Sequence, residues 1–181
     1  SPAADEVYGT PVPGYRGIWY ANQETNNEYV YKYSGGLGTY CAKHIPMAVY
    51  APEVDKTFFV FGGTNEARDT LLEMVSYYDH KTGQVPRPVM LIDKKTMDAH
   101  DNPVLSIDGA GYLFVFASAH GTGRPAYIFK SLKPYDISKF EKVADFNYSY
   151  PQPWYIEGKG FLFVHTHYKG GRGMYFRTSE D

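Results

Sequence analysis

The sequence predicts an all-β fold, a β-propeller of four-stranded antiparallel blades, and three observations carry that prediction. Helical periodicity is almost absent: short runs rich in Val, Ile, Phe and Tyr are separated by Gly, Pro, Asp and Asn, the pattern of strands joined by tight turns. A hairpin then recurs three times, in HIPMAVYAPEVDKTFFVFGGT from His44, HDNPVLSIDGAGYLFVFASAHG from His100 and YPQPWYIEGKGFLFVHTHY from Tyr150. Each copy places a proline (Pro46, Pro103 or Pro153) before a first strand, then a turn with Asp or Gly, then a second strand rich in Phe and Val. Finally, a third strand follows each hairpin (LLEMVSYYDH, AYIFKSLKP, GMYFRTSED), and a fourth follows twice (PVMLIDK, KFEKVADF). Four-stranded sheets repeated about an axis make a propeller; a sandwich explains the repetition less well.

The repeats set the expected organisation: one propeller domain over 1–181, with blades near 44–94, 100–146 and 150–181 after an N-terminal strand segment, 14–43. Three blades cannot close a ring of roughly four to eight. The chain is therefore expected to be the front part of a longer propeller, the rest of the ring coming from the same or a separate chain.

Composition narrows the function classes. A chain of 181 residues with 17% aromatics can bury one ordinary core. The formal charge of −2 argues against a general nucleic-acid or membrane-surface binder and leaves only local basic patches. No apolar run approaches the ~20 residues of a membrane span, and the opening SPAADEVYGTPVPG lacks the regions of a signal peptide. The single cysteine, Cys41, excludes an internal disulfide. Cys41 and His44 form a C-x-x-H pair, two ligands short of a tetrahedral zinc site, so Cys41 reads as a packed core residue. YSGGLGTY has no following Lys-Ser/Thr and reads as a turn, not a phosphate loop. Trp19 and Trp154 are stacking candidates set against burial between blades; His165 reads as packed within a strand and His80 as solvent-exposed in a turn.

Repeat geometry then gathers residues distant in sequence. In an antiparallel blade the start of the first strand, the end of the second and the start of the third share one face. His44, His100 and Tyr150 precede first strands; His120, His167 and Tyr168 end second strands; Arg68, Arg124 and Arg172 open third strands. First strands run innermost, so this face rims the central channel, a concave place for ligands. Histidines and tyrosines supply proton-transfer groups and arginines supply cations for an anionic substrate, which fits an acidic sugar polymer. The competing reading is that a loop histidine flanked by Asp98, Asp101 and Asn102 simply hydrogen-bonds its neighbours.

GYRGIWYANQ, YKYSGGLGTY, DAHDNPVLSIDGAGYLFVFASAHG, RPAYIFKSLKPYDIS and HTHYKGGRGMYFRTSED together resemble the N-terminal part of the BNR-repeat propellers that include bacterial ulvan lyases. The resemblance implies a seven-bladed ring, a secreted or periplasmic setting, and β-elimination at a uronic acid of a sulfated algal polysaccharide, with no cofactor required. By motif, His100 in DAHDNP matches a catalytic histidine, His120 in SAHG a second active-site histidine, and Tyr168 in HTHYKGGR a tyrosine acid or base. The family's neutralising arginine would lie beyond Asp181, so Arg124 and Arg172 are substitutes inferred from geometry, with Asn102, His44 and His167 completing the expected substrate contacts. The expected partner is an anionic polysaccharide. Two alternatives stand beside the lyase. A sialidase-like glycoside hydrolase would need a pair of rim carboxylates or an arginine triad, and neither is evident. A non-catalytic glycan-binding propeller remains open because fold does not fix function.

Overall fold

The computed structural model describes residues 7–12, 47–67 and 69–180. Among them the elements are β1 (Val7–Tyr8), β2 (Thr10–Pro11), β3 (Ala48–Ala51), β4 (Lys56–Thr64), β5 (Leu71–Asp79), β6 (Val89–Asp93), a 3-10 turn (Ala99–Asp101), β7 (Pro103–Ile107), β8 (Leu113–Ala117), β9 (Tyr127–Ser131), β10 (Phe140–Asp145), β11 (Ser149–Ile156), β12 (Gly160–His167) and β13 (Gly173–Thr178). They form three antiparallel sheets, ordered β3-β4-β5-β6-β2, β7-β8-β9-β10-β1 and β11-β12-β13. This is the all-β blade arrangement expected from the repeats, and the first strands β3, β7 and β11 run side by side, with Tyr50, Ile107 and Trp154 lining the cleft between them.

Local chemistry makes the hairpins. In the β7–β8 turn the Asp108 carboxylate accepts the N–H groups of Ala110 (3.0 Å) and Tyr112 (2.8 Å), an Asx-type closure. Gly111 there has φ +88°, and a Cβ would stand 2.5 Å from the Tyr135 ring, so only glycine fits.

Burial on both faces distinguishes the second sheet. Leu105, Val115 and Phe129 pack with Phe58, Val60 and Val75 of the first sheet, while Val104 and Phe116 pack with Tyr148 and Phe163 toward the third. Each fully buried aromatic or branched side chain contributes about 1.5–3 kcal/mol relative to exposure, so the sheets are held face to face mainly by these two layers. The third sheet covers only one side: Trp154, Met174 and Phe176 are exposed, Met174 at 78%.

Two features differ from the sequence expectation. Residues before the expected N-terminal segment make strands: Val7–Tyr8 pairs with Glu141 and Phe140 on the outer edge of one sheet, and Thr10–Pro11 with Met90 and Val89 on the outer edge of the next. Gly9, at φ +116°, makes the crossing, and Lys139 donates to its carbonyl (2.9 Å). This covers two otherwise open edges. Pro153 also lies inside β11, paired with Phe163, whereas Pro103 opens β7 opposite Ala117. The third repeat starts its strand earlier, through an irregularity between Ser149 and Gln152.

A buried cation ties the first two sheets beneath the rim. Lys94 is 7% exposed; it donates to the Pro125 carbonyl (2.7 Å) and lies 3.8 Å from Asp101. Burial lowers the Lys94 pKa, and the opposing charges of Glu73 and Asp101 work against that shift.

Candidate active site at the strand ends

The turn before β7 is organised by its own acids. Thr96 Oγ1 accepts the Asp98 N–H (3.1 Å), Asp98 Oδ1 accepts the His100 N–H (3.1 Å), and the Asp98 carbonyl accepts the Asp101 N–H (3.1 Å). These short-range bonds wind Ala99–Asp101 into its 3-10 turn. Asp101 is fully buried. It accepts the His120 N–H (2.8 Å) and a two-pronged contact from Arg124, Nε to Oδ2 at 3.0 Å and Nη2 to Oδ1 at 2.9 Å. Asn147 Nδ2 holds the carbonyls of Gly121 (2.7 Å) and Arg124 (3.0 Å). The ends of two strands are thus pinned on a buried carboxylate.

On this frame the imidazoles of His100 and His120 stack, with centroids 4.1 Å apart and planes at 24°. Both meet Asp98: His100 Nδ1 at 2.6 Å from Oδ1, His120 Nδ1 at 3.0 Å from Oδ2, with Arg124 Nη2 3.1 Å from Oδ2. Burial alone would raise the Asp98 pKa, but hydrogen bonds from the His100 side chain and backbone and from His120 outweigh it and hold the carboxyl far below the usual range. The hydrogen bonds that Arg124 donates to Asp101, against some desolvation, raise its already high pKa. The cluster therefore contains a fixed anion–cation pair beside two titratable rings.

Tyr150 and Tyr168 close the other side. Tyr150 sits at the β11 irregularity with φ +52°, a conformation that a non-glycine residue adopts at a cost and that re-aims a strand side chain. Its ring lies edge-on to His100 (5.9 Å) and 6.0 Å from His120; Tyr168 is edge-on to His120 at 5.6 Å, and the Arg172 guanidinium is 5.2 Å from the Tyr150 centroid. Burial, then a hydrogen bond with Tyr168, raise the Tyr150 pKa well above the ordinary tyrosine value, with Arg172 opposing.

The structure brings together His100, His120, Arg124, Tyr150, Tyr168 and Arg172. Asn102, expected to contact substrate, is instead fully buried. His167 turns away: its ring is edge-on to Tyr175 at 5.7 Å and its Nδ1 is buried. His165 is packed, stacked 5.0 Å from Phe163, and its pKa is lowered by burial. His80 is exposed and is 2.8 Å from Thr57 Oγ1. His44, Arg68, Cys41 and Trp19 lie outside the described residues. Sequence reasoning treated Asp98 and Asp101 only as neighbours of a loop histidine; the D-x-H-D spacing of Asp98, His100 and Asp101 was the available signal. Asp98, His100 and His120 offer donor atoms within 4.8 Å of one another, yet both Nδ1 atoms and Arg124 already occupy the carboxylate, so its charge is met without a metal ion.

Fold and site together define the class: a β-propeller whose strand ends assemble a histidine, tyrosine and arginine cluster. The chain belongs to the BNR repeat-containing family, whose model matches residues 68–176, more than half its length. Two solved structures described as a new family of polysaccharide lyase, ulvan lyase, share the fold, with TM-scores of 0.67 and 0.68 at 20% identity. The second is bound to -[GlcA(1-4)Rha3S]-. Each comparison covers 81% of this chain and 37% of the other, so the chain spans little more than a third of their length. A comparison with curated proteins returned no match.

Proposed function

We propose that this chain forms part of a polysaccharide lyase that cleaves a sulfated, uronate-containing polymer of the ulvan type by β-elimination. The observation that carries the reading is the stacked His100–His120 pair on Asp98, in ring contact with Tyr150 and Tyr168. The fold likeness to an ulvan lyase bound to a sulfated uronate saccharide supports the substrate class.

The chemistry requires a base for the C5 proton, a cation for the adjacent carboxylate, and an acid for the departing O4. His100 is assigned as base, since its bond to Asp98 is the shorter, 2.6 Å, and that bond fixes the ring with Nε2 as the acceptor. Arg172 receives the uronate carboxylate. Arg124 bonds both Asp98 and Asp101 and keeps the pocket in shape. Tyr168 donates its proton to O4 as the C4–O4 bond breaks and C4=C5 forms, while the neutral Tyr150 hydroxyl stabilises the oxygen that remains. The exposed apolar face of β11–β13 is the seat for a further blade of the same or a separate chain. Action on such a polymer places the protein outside the cytoplasm, secreted or periplasmic.

Incubation of the full chain, with the remainder of its propeller where that is separate, with ulvan is expected to raise the ultraviolet absorbance of a C4–C5 unsaturated uronate. New reducing ends without that chromophore would identify a hydrolase instead. Polymer binding with neither product would identify a binding protein.

A further inference from the structure

We infer that Asp98 is a positioning residue that sets the tautomer of His100 and His120 together, keeping both rings as Nδ1–H so that both Nε2 atoms carry the lone pair. The kinetic part of this inference rests on the lyase reading; the structural part does not.

The argument is one of donors and acceptors. An ionised carboxylate can only accept hydrogen bonds, and a neutral imidazole has one donor and one acceptor nitrogen. Asp98 Oδ1 faces the backbone N–H and Nδ1 of His100, and Oδ2 faces Nδ1 of His120 and Nη2 of Arg124. The backbone and arginine groups are obligatory donors, so neither oxygen can serve as a donor in its place. Each Nδ1 must therefore carry hydrogen. Arg124 is itself anchored on Asp101, so the carboxylate cannot swing away without breaking a second ion pair.

The two rings then present matched Nε2 atoms from stacked planes 4.1 Å apart. Among the described residues, and besides Asp98, the titratable or charged groups around them include Tyr150 beside both rings, Tyr168 beside His120, Arg124 on Asp98, Asp101 beneath and Arg172 over Tyr150. One proton added at either Nε2 is stabilised by Asp98. A second would place two like charges face to face at that spacing, which disfavours it. The pair thus acts as a single-proton device, one ring accepting while the other stays neutral.

Histidine-selective 15N NMR of the full chain tests the assignment without any substrate. The expected spectrum has protonated Nδ1 and unprotonated Nε2 for both rings above their titration; an Nε2–H tautomer in either ring overturns the inference. Asp98→Asn supplies the second arm. The amide can accept only through its oxygen, so the ring that faces its NH2 group loses its acceptor. That ring alone should then switch to Nε2–H. With active protein, kcat should fall on the order of 10²–10⁴-fold while KM changes little. Unchanged tautomers together with unchanged kcat overturn the role of Asp98. A chain with no lyase activity but Nδ1–H in both rings overturns the lyase reading alone.

Discussion

The rings of His100 and His120 lie 4.1 Å apart and bond opposite oxygens of one carboxylate, Asp98. Residues so placed act as a unit, and their substitutions should not add. His100→Ala is expected to lower turnover by roughly 10²–10⁴-fold, and His120→Ala, which removes the other ring on Asp98, to lower it less. The double variant should be little worse than His100→Ala. Steady-state kinetics on all three would show an additive loss if the two act independently.

Acid sensitivity follows from Asp98. Its folded pKa is depressed, so its contribution to stability is full above the unfolded value of ~3.9 and is lost as pH falls toward the folded one. Urea unfolding should find Asp98→Asn less stable than wild type by roughly 1–3 kcal/mol at pH 6. That difference should shrink steadily below about pH 4. A difference independent of pH would mean that the carboxylate charge is not what stabilises the turn.

Lys94 is set between two buried acids, Glu73 and Asp101. Lys94→Met keeps the apolar stem and removes the charge, taking that cation from Glu73 and leaving Asp101 with Arg124. The expected loss is about 3–5 kcal/mol, read from the denaturant midpoint. A loss under about 1 kcal/mol would show that other groups compensate those acids.

Phe129 is fully buried in the layer between the first two sheets. Phe129→Ala should cost about 3–5 kcal/mol through lost contacts and a residual cavity, with little change in the denaturant slope. A much smaller cost would require the two sheets to close onto the vacated space.

The Asp98 cluster satisfies its charge through Arg124 and the two imidazoles, so turnover should not depend on a metal ion. Dialysis against a chelator is expected to leave the activity unchanged, and loss restored by a divalent cation would reassign Asp98, His100 and His120 as its ligands.

The sequence by itself determined the strand repeat. Alternation and turn chemistry are local: Asp108 and Gly111 make the β7–β8 turn from residues within a few positions of one another, and the hairpin pattern alone puts His100 and His120 at neighbouring strand ends. It also carried the packed state of His165, whose strand position faces the second sheet. What it did not carry depends on non-local geometry. Whether His167 or Tyr168 joins the rim turns on which face each residue presents, and the β11 irregularity at Tyr150 shifts that third repeat against the other two. Arg124 looked like a free cation and bonds Asp98 and Asp101 instead, because only the tertiary structure brings the end of one hairpin over the start of another. Strand periodicity is written in neighbouring residues, whereas hydrogen-bond partners at a rim are chosen by the spacing and twist of packed sheets.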